Sequence, residues 1–372
     1  MKVLITGSQG FVAKNLCVHL RERPDVEVLQ FSREDSISSL KEMLLQADFV
    51  FHLAGVNRPQ DPEDFKTGNT DLTRAVCDGI VASGRKIPVL YTSSSQAELD
   101  NAYGVSKLGA EQALVDLAAE HDVQVHIFRL PNVFGKWARP NYNSAVATFC
   151  NNIARHQPIQ INNPDAAITL VYIDDVIAQF IAVMDGKLSG NPFITVEPVY
   201  GTTVGALSTQ LTAFRDSRET LLTEAVGTGL TRALYSTYLS YVPQESFTYE
   251  VPKYGDPRGV FVEMLKTRDS GQFSYFTAHP GITRGGHYHH SKTEKFLVIK
   301  GDACFRFRHI VSGEFYELFT TGEKPEIVET VPGWTHDITN IGHDEMIVML
   351  WANEIFDREH PDTYALPVGT EA

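Results

Sequence analysis

The first sixteen residues constrain this chain more than any other stretch. Lys2 to Ile5 reads as an apolar strand, Thr6-Gly7-Ser8-Gln9-Gly10 as a tight turn, and Phe11 to Leu16 as the opening of a helix. A continuous run such as Val3-Leu4-Ile5 suits a strand buried on both faces. Gly7 and Gly10 let the backbone turn sharply and approach a pyrophosphate without a Cβ in the way. Amides at the start of the helix would then face the phosphates. The spacing is Thr-Gly-x-x-Gly-x-x-Ala rather than G-x-G-x-x-G, with Ala13 where the helix must pack closely on the strand. The turn predicts a nucleotide site drawn from Gly7, Gln9, Gly10, Phe11 and Val12.

From Met1 to about Ile181, short apolar runs alternate with longer helical stretches, the pattern of a parallel sheet covered by helices. Strands are expected at Val3–Ile5, Val26–Phe31, Phe49–Leu53, Val89–Ser93 and Val123–Arg129. Helices are expected at Phe11–Glu22, Asp71–Ser83 and Gly104–His121. After Asp185 the character changes, with a helix over about Thr203–Arg218 and a polar connector near Tyr235–Gln244. From Phe247 onward strict alternation dominates, as in Phe273–Ala278, Phe296–Ile299, Ala303–His309, Ile327–Thr330 and Met346–Trp351. The expected fold is an α/β, Rossmann-type, doubly wound parallel sheet over 1–244, followed by an all-β barrel or jelly roll over 245–372.

At 372 residues and 43% apolar content the chain can bury two cores. Its net charge of -14, with no clustered Lys/Arg tract, argues against a nucleic-acid partner. Cys17, Cys77, Cys150 and Cys304 are scattered singly, which suggests neither a disulfide framework nor a thiolate zinc site. No basic-then-apolar leader precedes the first strand, and no apolar run reaches the roughly 20 residues of a membrane span. A cytoplasmic protein without membrane contact is expected.

Two constellations carry chemistry. The first is Tyr103-Gly-Val-Ser-Lys107 at the start of a helix, where i, i+4 spacing sets both side chains on one face. The Lys107 ammonium is expected to pull the phenol from roughly 10 toward neutrality, so that Tyr103 exchanges a proton with a carbonyl or hydroxyl. Ser93-Ser94-Ser95 ends the preceding strand, and Ser94 or Ser95 would bind the reacting oxygen. These residues resemble the extended short-chain dehydrogenase/reductase family. Further matches are His52-Leu53-Ala54-Gly55, Asn69 in Gly-Asn-Thr-Asp, Arg129-Leu-Pro131-Asn132-Val133-Phe-Gly135 and Tyr172-Ile-Asp174-Asp175. The resemblance implies a nicotinamide cofactor across Gly7–Ala13, Leu53–Gly55, Asn69, Lys107 and Pro131–Val133, and a nucleotide-sugar substrate. At the end of the second strand Ser32 and Arg33 stand where an acid would select NAD. A guanidinium there can pair with a 2′-phosphate, which favours NADPH.

The second constellation is His287-x-His289-x4-Glu294, followed by Pro332-Gly333-Trp-Thr-His336. On strands, His287 and His289 share a face, while Glu294 and His336 return from neighbouring strands. Three imidazoles and a carboxylate suit a divalent transition metal, zinc or a relative. The spacing resembles the two cupin motifs. Asp256-Pro-Arg258-Gly259 and Arg284-Gly-Gly-His287-Tyr288 further resemble deoxysugar 3,5-epimerases of the cupin class. There a histidine at the position of His287 removes a proton α to a ketone, and a lysine at Lys295 supports the enolate. A metal-bound His287 could not be that base, so either the metal stabilises the enolate and another group moves the proton, or the site is metal-free; the metal is favoured, with His290 and Lys295 as candidates for proton transfer.

Taken together, the two halves resemble bifunctional enzymes of capsular-polysaccharide precursor synthesis, a match that includes Val56-Asn57-Arg58-Pro59, Gly135-Lys136-Trp137 and Asn353 to Asp357. The resemblance implies C3 epimerisation of UDP-2-acetamido-2,6-dideoxy-hexos-4-ulose by the second domain. NADPH-dependent C4 reduction would follow, giving UDP-2-acetamido-2,6-dideoxy-L-talose, the precursor of UDP-N-acetyl-L-fucosamine. It also implies a homodimer through the cupin domain. The alternatives are a reductase whose cupin is structural, and a non-catalytic sugar-nucleotide sensor.

Overall fold

The computed structural model describes residues 1–188 and 192–369. The chain divides into two compact units, Met1–Thr212 with Thr228–Pro243, and Ala213–Gly227 with Gln244–Ala372. No helix among the described residues is long and apolar enough to cross a membrane.

The first unit begins β1 (Lys2–Thr6), α1 (Phe11–Arg21), β2 (Glu27–Phe31), α2 (Ile37–Gln46) and β3 (Phe49–His52). A short helix α3 (Glu63–Phe65) runs through a π-helical turn, Lys66–Asp71, into α4 (Leu72–Ser83). Then come β4 (Val89–Ser94), α5 (Ala102–His121), β5 (Val125–Leu130), β6 (Asn132–Phe134), α6 (Ala145–Ala154), β7 (Ala167–Tyr172) and α7 (Ile173–Met184). The unit ends with β8 (Phe193–Ile194), β9 (Tyr200–Thr203), the first half of α8 (Val204–Thr220) and α9 (Gly229–Leu239). Six strands form one sheet in the order β2-β1-β3-β4-β5-β8, every pair parallel. This is the Rossmann-type sheet the alternation predicts. Val3, Leu4 and Ile5 are fully buried at its centre, as a strand covered on both faces requires. The expected polar connector near Tyr235 is instead the C-terminal half of α9, which buries Ala233, Leu234, Thr237 and Tyr238. Its serines and threonines hid the period, because Thr237 and Ser240 turn their hydroxyls back onto helix carbonyls.

Two local features set up the first site. Asn101 caps α5 by accepting from the Gly104 amide at 2.8 Å. A Cβ on Gly104 would lie 2.2 Å from the Leu99 carbonyl oxygen, so the helix start can sit this close to the β4 turn only with glycine there.

The second unit is antiparallel: β10 (Lys253–Asp256), β11 (Gly259–Thr267), β12 (Gly271–Ala278), β13 (Thr283–Tyr288), β14 (Glu294–Lys300) and β15 (Asp302–His309). It continues with β16 (Phe315–Thr321), β17 (Ile327–Glu329), β18 (Trp334–Asn340), β19 (Met346–Ala352) and β20 (Tyr364–Ala365). They form a six-stranded sheet, β10-β11-β12-β19-β14-β17, and a five-stranded one, β16-β15-β18-β13-β20. Inward side chains of both sheets, including Phe276, Phe296, Phe305, Ile338 and Val348, make one core.

Candidate active sites

Gly7 stands at φ 67°, and a Cβ there would lie 2.7 Å from the Ala54 Cα, so only glycine fits. Gly10 closes the turn by donating its amide to the Gly7 carbonyl at 2.8 Å. It caps α1 without a side chain, leaving the first-turn amides available to an anion. Gln9 is exposed, and Phe11 and Val12 are half-buried.

A buried hydrogen-bond chain fixes the neighbouring loop, Leu53-Ala54-Gly55. Thr73 Oγ1 donates to the Asn69 carbonyl at 2.8 Å, so it accepts from His52 Nε2 at 2.8 Å. His52 Nδ1 then accepts from Thr6 Oγ1 at 2.7 Å, and Thr6 Oγ1 accepts from the Ala54 amide at 3.2 Å. Burial, reinforced by the Lys107 charge, pulls His52 down to about 3 and keeps it neutral, as the chain demands. Sequence reading missed this network because a lone histidine at a strand end carries no signal of its partners.

Asn69 is held by three hydrogen bonds: Oδ1 accepts from the Val56 amide at 2.9 Å, and Nδ2 donates to the Val56 carbonyl at 3.1 Å and Ser106 Oγ at 2.9 Å. It clamps the loop after β3 onto α5. Ser32 is likewise occupied, since its amide and hydroxyl both donate to Asp35. Arg33 is exposed and has no ion pair among the described residues. Pro131 and Val133 are half-buried, and the exposed Asn132 donates to the Thr169 carbonyl at 3.0 Å.

At the end of β4 the three serines part ways. Ser93 turns inward and donates to Glu111, which Arg129 grips through two nitrogens at 2.9 and 2.7 Å. Ser94 stands beside the Tyr103 hydroxyl. Ser95 is exposed and its amide donates to the Leu130 carbonyl. The structure thus brings Ser94, not Ser95, to Tyr103.

Lys107 is 4% exposed and donates to Tyr91 Oη at 3.2 Å and the Thr92 carbonyl at 2.9 Å. Burial pulls it down to about 8. The expected acidification of Tyr103 by Lys107 is not what the site does: burial raises the phenol, and the neighbouring Ser94 hydroxyl offsets this only in part. A Cβ on Gly55 would lie 3.1 Å from Asn69 Oδ1 and 3.2 Å from Lys107 Nζ, which places the loop, its clamp and the lysine at one point.

In the second unit His287, His289, Glu294 and His336 converge, one ligand atom of each lying within 4.8 Å of the others. His289 Nδ1 donates to the Asp362 carbonyl at 2.6 Å, which turns its Nε2 toward Glu294 Oε2 at 3.2 Å. His336 Nε2 lies 3.4 Å from the same oxygen, too poorly aligned for a hydrogen bond, and both its ring nitrogens are buried without a partner. Three imidazoles and a carboxylate converging in this way, with the His336 nitrogens left without a partner, fit a cation. Burial pushes the Glu294 carboxyl up, but contacts from His289 and His336 and the Lys292 charge outweigh it and hold it well below the usual range. Burial pulls His287 down to about 4. Beside the cluster lies a cavity of about 130 Å³, lined among others by Phe276, Arg284, His287, Glu294, Phe296 and His336.

Two expected proton-transfer groups are absent from this site. His290 packs its ring on Tyr288 and Tyr364, on the side of the strand away from His287 and His289. Lys295 is exposed and pairs with Glu329, because it follows an inward Glu294 on a strand. The lysine that does reach the cluster, Lys292, is 6% exposed and lies 3.3 Å from Glu294 Oε1. It sits in the turn before β14, where strand alternation gives no direction.

Comparison with known proteins agrees with both units. The family described as NAD dependent epimerase/dehydratase matches residues 3–194, and the Polysaccharide biosynthesis C-terminal domain matches residues 254–364. A relative from Pseudomonas aeruginosa, UDP-2-acetamido-2,6-beta-L-arabino-hexul-4-ose reductase, is 66% identical over 372 residues, covering 100% of both chains. The capsular polysaccharide assembling protein CapF from Staphylococcus aureus superposes with TM-score 0.92 at 42% identity, covering 99% of this chain and 100% of that one. UDP-glucose 4-epimerase from Thermotoga maritima shares the fold, with TM-score 0.56 at 18% identity over 67% of this chain and 100% of its own. With its glycine turn, its Ser94–Tyr103 pair and a match over more than half its length, this chain belongs to the NAD dependent epimerase/dehydratase family.

Proposed function

We propose that this chain reduces the C4 ketone of UDP-2-acetamido-2,6-dideoxy-hexos-4-ulose with NADPH, after its second unit has inverted C3 of the same sugar. The product is UDP-2-acetamido-2,6-dideoxy-L-talose, the precursor of UDP-N-acetyl-L-fucosamine. The observation that carries the reduction is the placement of Ser94 beside the Tyr103 hydroxyl with a buried Lys107 one helical turn on, at the carboxyl end of a parallel sheet where such folds bind ligands. The substrate for which the Pseudomonas aeruginosa relative is named, a UDP-linked 4-keto sugar, supports the substrate class. Arg33, exposed without a partner ion among the described residues, supports NADPH.

A bound nicotinamide supplies the hydride. Tyr103, held protonated by burial, donates the proton that the C4 oxygen needs, and Ser94 orients that oxygen. Lys107 spends two protons on Tyr91 and Thr92, leaving a third for a ribose hydroxyl. In the second unit His287, His289, Glu294 and His336 would hold a divalent ion such as zinc, whose Lewis acidity polarises a ketone oxygen. The C4 ketone is what acidifies the C3 proton, so inversion must precede reduction. The exposed apolar side chains Phe319, Ile327 and Val331 support a homodimer through this unit, to be checked by light scattering.

The test is NADPH oxidation with the 4-keto sugar by the purified chain. Tyr103→Phe should cut turnover by about 10²- to 10⁴-fold while C3 proton exchange persists. Loss of both activities in that variant would sink the proposal of separate sites. Reduction by the wild type without exchange would leave a reductase with a structural second unit, and tight NADPH binding without turnover a sensor.

A further inference from the structure

We infer that the C-terminal segment completes the metal centre, with Asp362 as the positioning residue that sets both His289 and, through Lys292, Glu294. The inference rests on the metal reading of the second unit.

Asp362 stands 73 residues from His289 in sequence and reaches the cluster with both its backbone and its side chain. Its carbonyl accepts the His289 Nδ1 proton at 2.6 Å, which fixes the ring rotation and leaves the Nε2 lone pair toward the cluster. Its carboxylate organises the turn between the ligands: Oδ1 accepts from the His290 amide at 3.0 Å, and Oδ2 accepts from the amides of Ser291 and Lys292, each at 2.8 Å, and from Ser291 Oγ at 3.0 Å. That turn carries Lys292, whose ammonium lies 3.3 Å from Glu294 Oε1. The carboxylate is therefore divided, with Oε1 given to lysine and Oε2 facing His289 and His336. One oxygen is left for an ion, so Glu294 would hold it through Oε2 alone.

The backbone geometry agrees. Asp362 has φ 39°, a left-handed conformation that aspartate tolerates better than most residues. The segment is tied down just beyond Asp362: β20 pairs Tyr364 and Ala365 with Tyr288 and His287, the Leu366 amide donates to the Gly286 carbonyl at 2.9 Å, and Val368 is buried. The fold does not need a carboxylate to hold a two-residue strand. The hydrogen bonds of Asp362 go to the residues that bracket the ligands.

The experiment compares metal affinity in wild type, Asp362→Gly, Lys292→Met and Val368→Ala. Each is stripped with a chelator, reloaded with zinc or cobalt(II) alone, and titrated against a chromophoric competitor. Glycine keeps the left-handed backbone and its carbonyl while removing the carboxylate. Asp362→Gly should bind zinc about 10- to 100-fold more weakly, a loss larger than any fall in the metal-free melting temperature accounts for. Lys292→Met, with both Glu294 oxygens released, should shift the cobalt absorption spectrum. Val368→Ala, which loosens the segment without touching Asp362, should bind zinc as wild type does. Wild-type affinity in Asp362→Gly overturns the inference, and so does equal weakening in Val368→Ala, or a lower metal-free melting temperature that accounts for the loss. Failure of the wild type itself to take up metal overturns the metal reading instead.

Discussion

Lys107→Met offers a quantitative prediction. A buried lysine drawn from 10.5 to about 8 carries an ammonium that folding disfavours; at about 1.4 kcal/mol per pH decade this amounts to about 3 kcal/mol. Methionine removes that cost but leaves Tyr91 Oη and the Thr92 carbonyl short of a donor, a loss of about 1–3 kcal/mol. At pH 7 the variant should therefore match the wild type or exceed it by up to about 2 kcal/mol while losing reductase turnover. Above about pH 8 the folded wild type sheds the proton that the unfolded chain keeps until about 10.5, so the wild type gains stability through that window and the variant does not. The stability difference should swing by about 3 kcal/mol in favour of the wild type between pH 7 and 10.5. Urea unfolding followed by Trp137, the one tryptophan of the first unit, reads this in a background carrying Trp334→Phe and Trp351→Phe. A difference that stays constant with pH would refute the reasoning, because every other titrating group is common to both proteins.

Other predictions follow from single contacts. Ser94→Ala should lower the reduction rate by about 10²- to 10³-fold, as loss of one oxyanion donor does, while Ser95→Ala should leave it unchanged; steady-state kinetics decides the register. Gly55→Ala should weaken NADPH binding in a fluorescence titration, because the new methyl would press on Asn69 Oδ1 at 3.1 Å and Lys107 Nζ at 3.2 Å. His290→Ala and Lys295→Met should retain C3 proton exchange, since both side chains face away from the cluster, whereas His336→Ala should lose metal and exchange together.

Periodicity made the architecture legible. Val3-Leu4-Ile5 and Phe49-Val50-Phe51 could only be strands of a covered sheet, and the alternation after Phe247 could only be antiparallel. It failed at α9, where polar residues bonded to their own helix erase the apolar stripe, and at Ala213–Gly227, which belongs to the second unit without any shift in composition. Strand parity also explains what could be read of the site. His287 and His289 share a face, and the same rule, applied to Lys295 after Glu294, turns that lysine outward. What parity cannot reach is a turn. Lys292 lies in one, and Asp362 arrives from 73 residues away, so neither could be assigned before the fold was known. Electrostatics was the other gap: the i, i+4 spacing of Tyr103 and Lys107 is real, but burial dominates both groups, raising the phenol and lowering the lysine.

The central claim, two consecutive steps at two sites in one chain, is tested most directly by proton NMR. The purified protein is given the UDP-linked 4-keto sugar in deuterated water, first without NADPH and then with it. Deuterium should enter C3 before NADPH is added, and a C4-reduced product should accumulate only afterwards. Reduction with C3 still fully protonated would contradict the claim and leave the second unit without a chemical role.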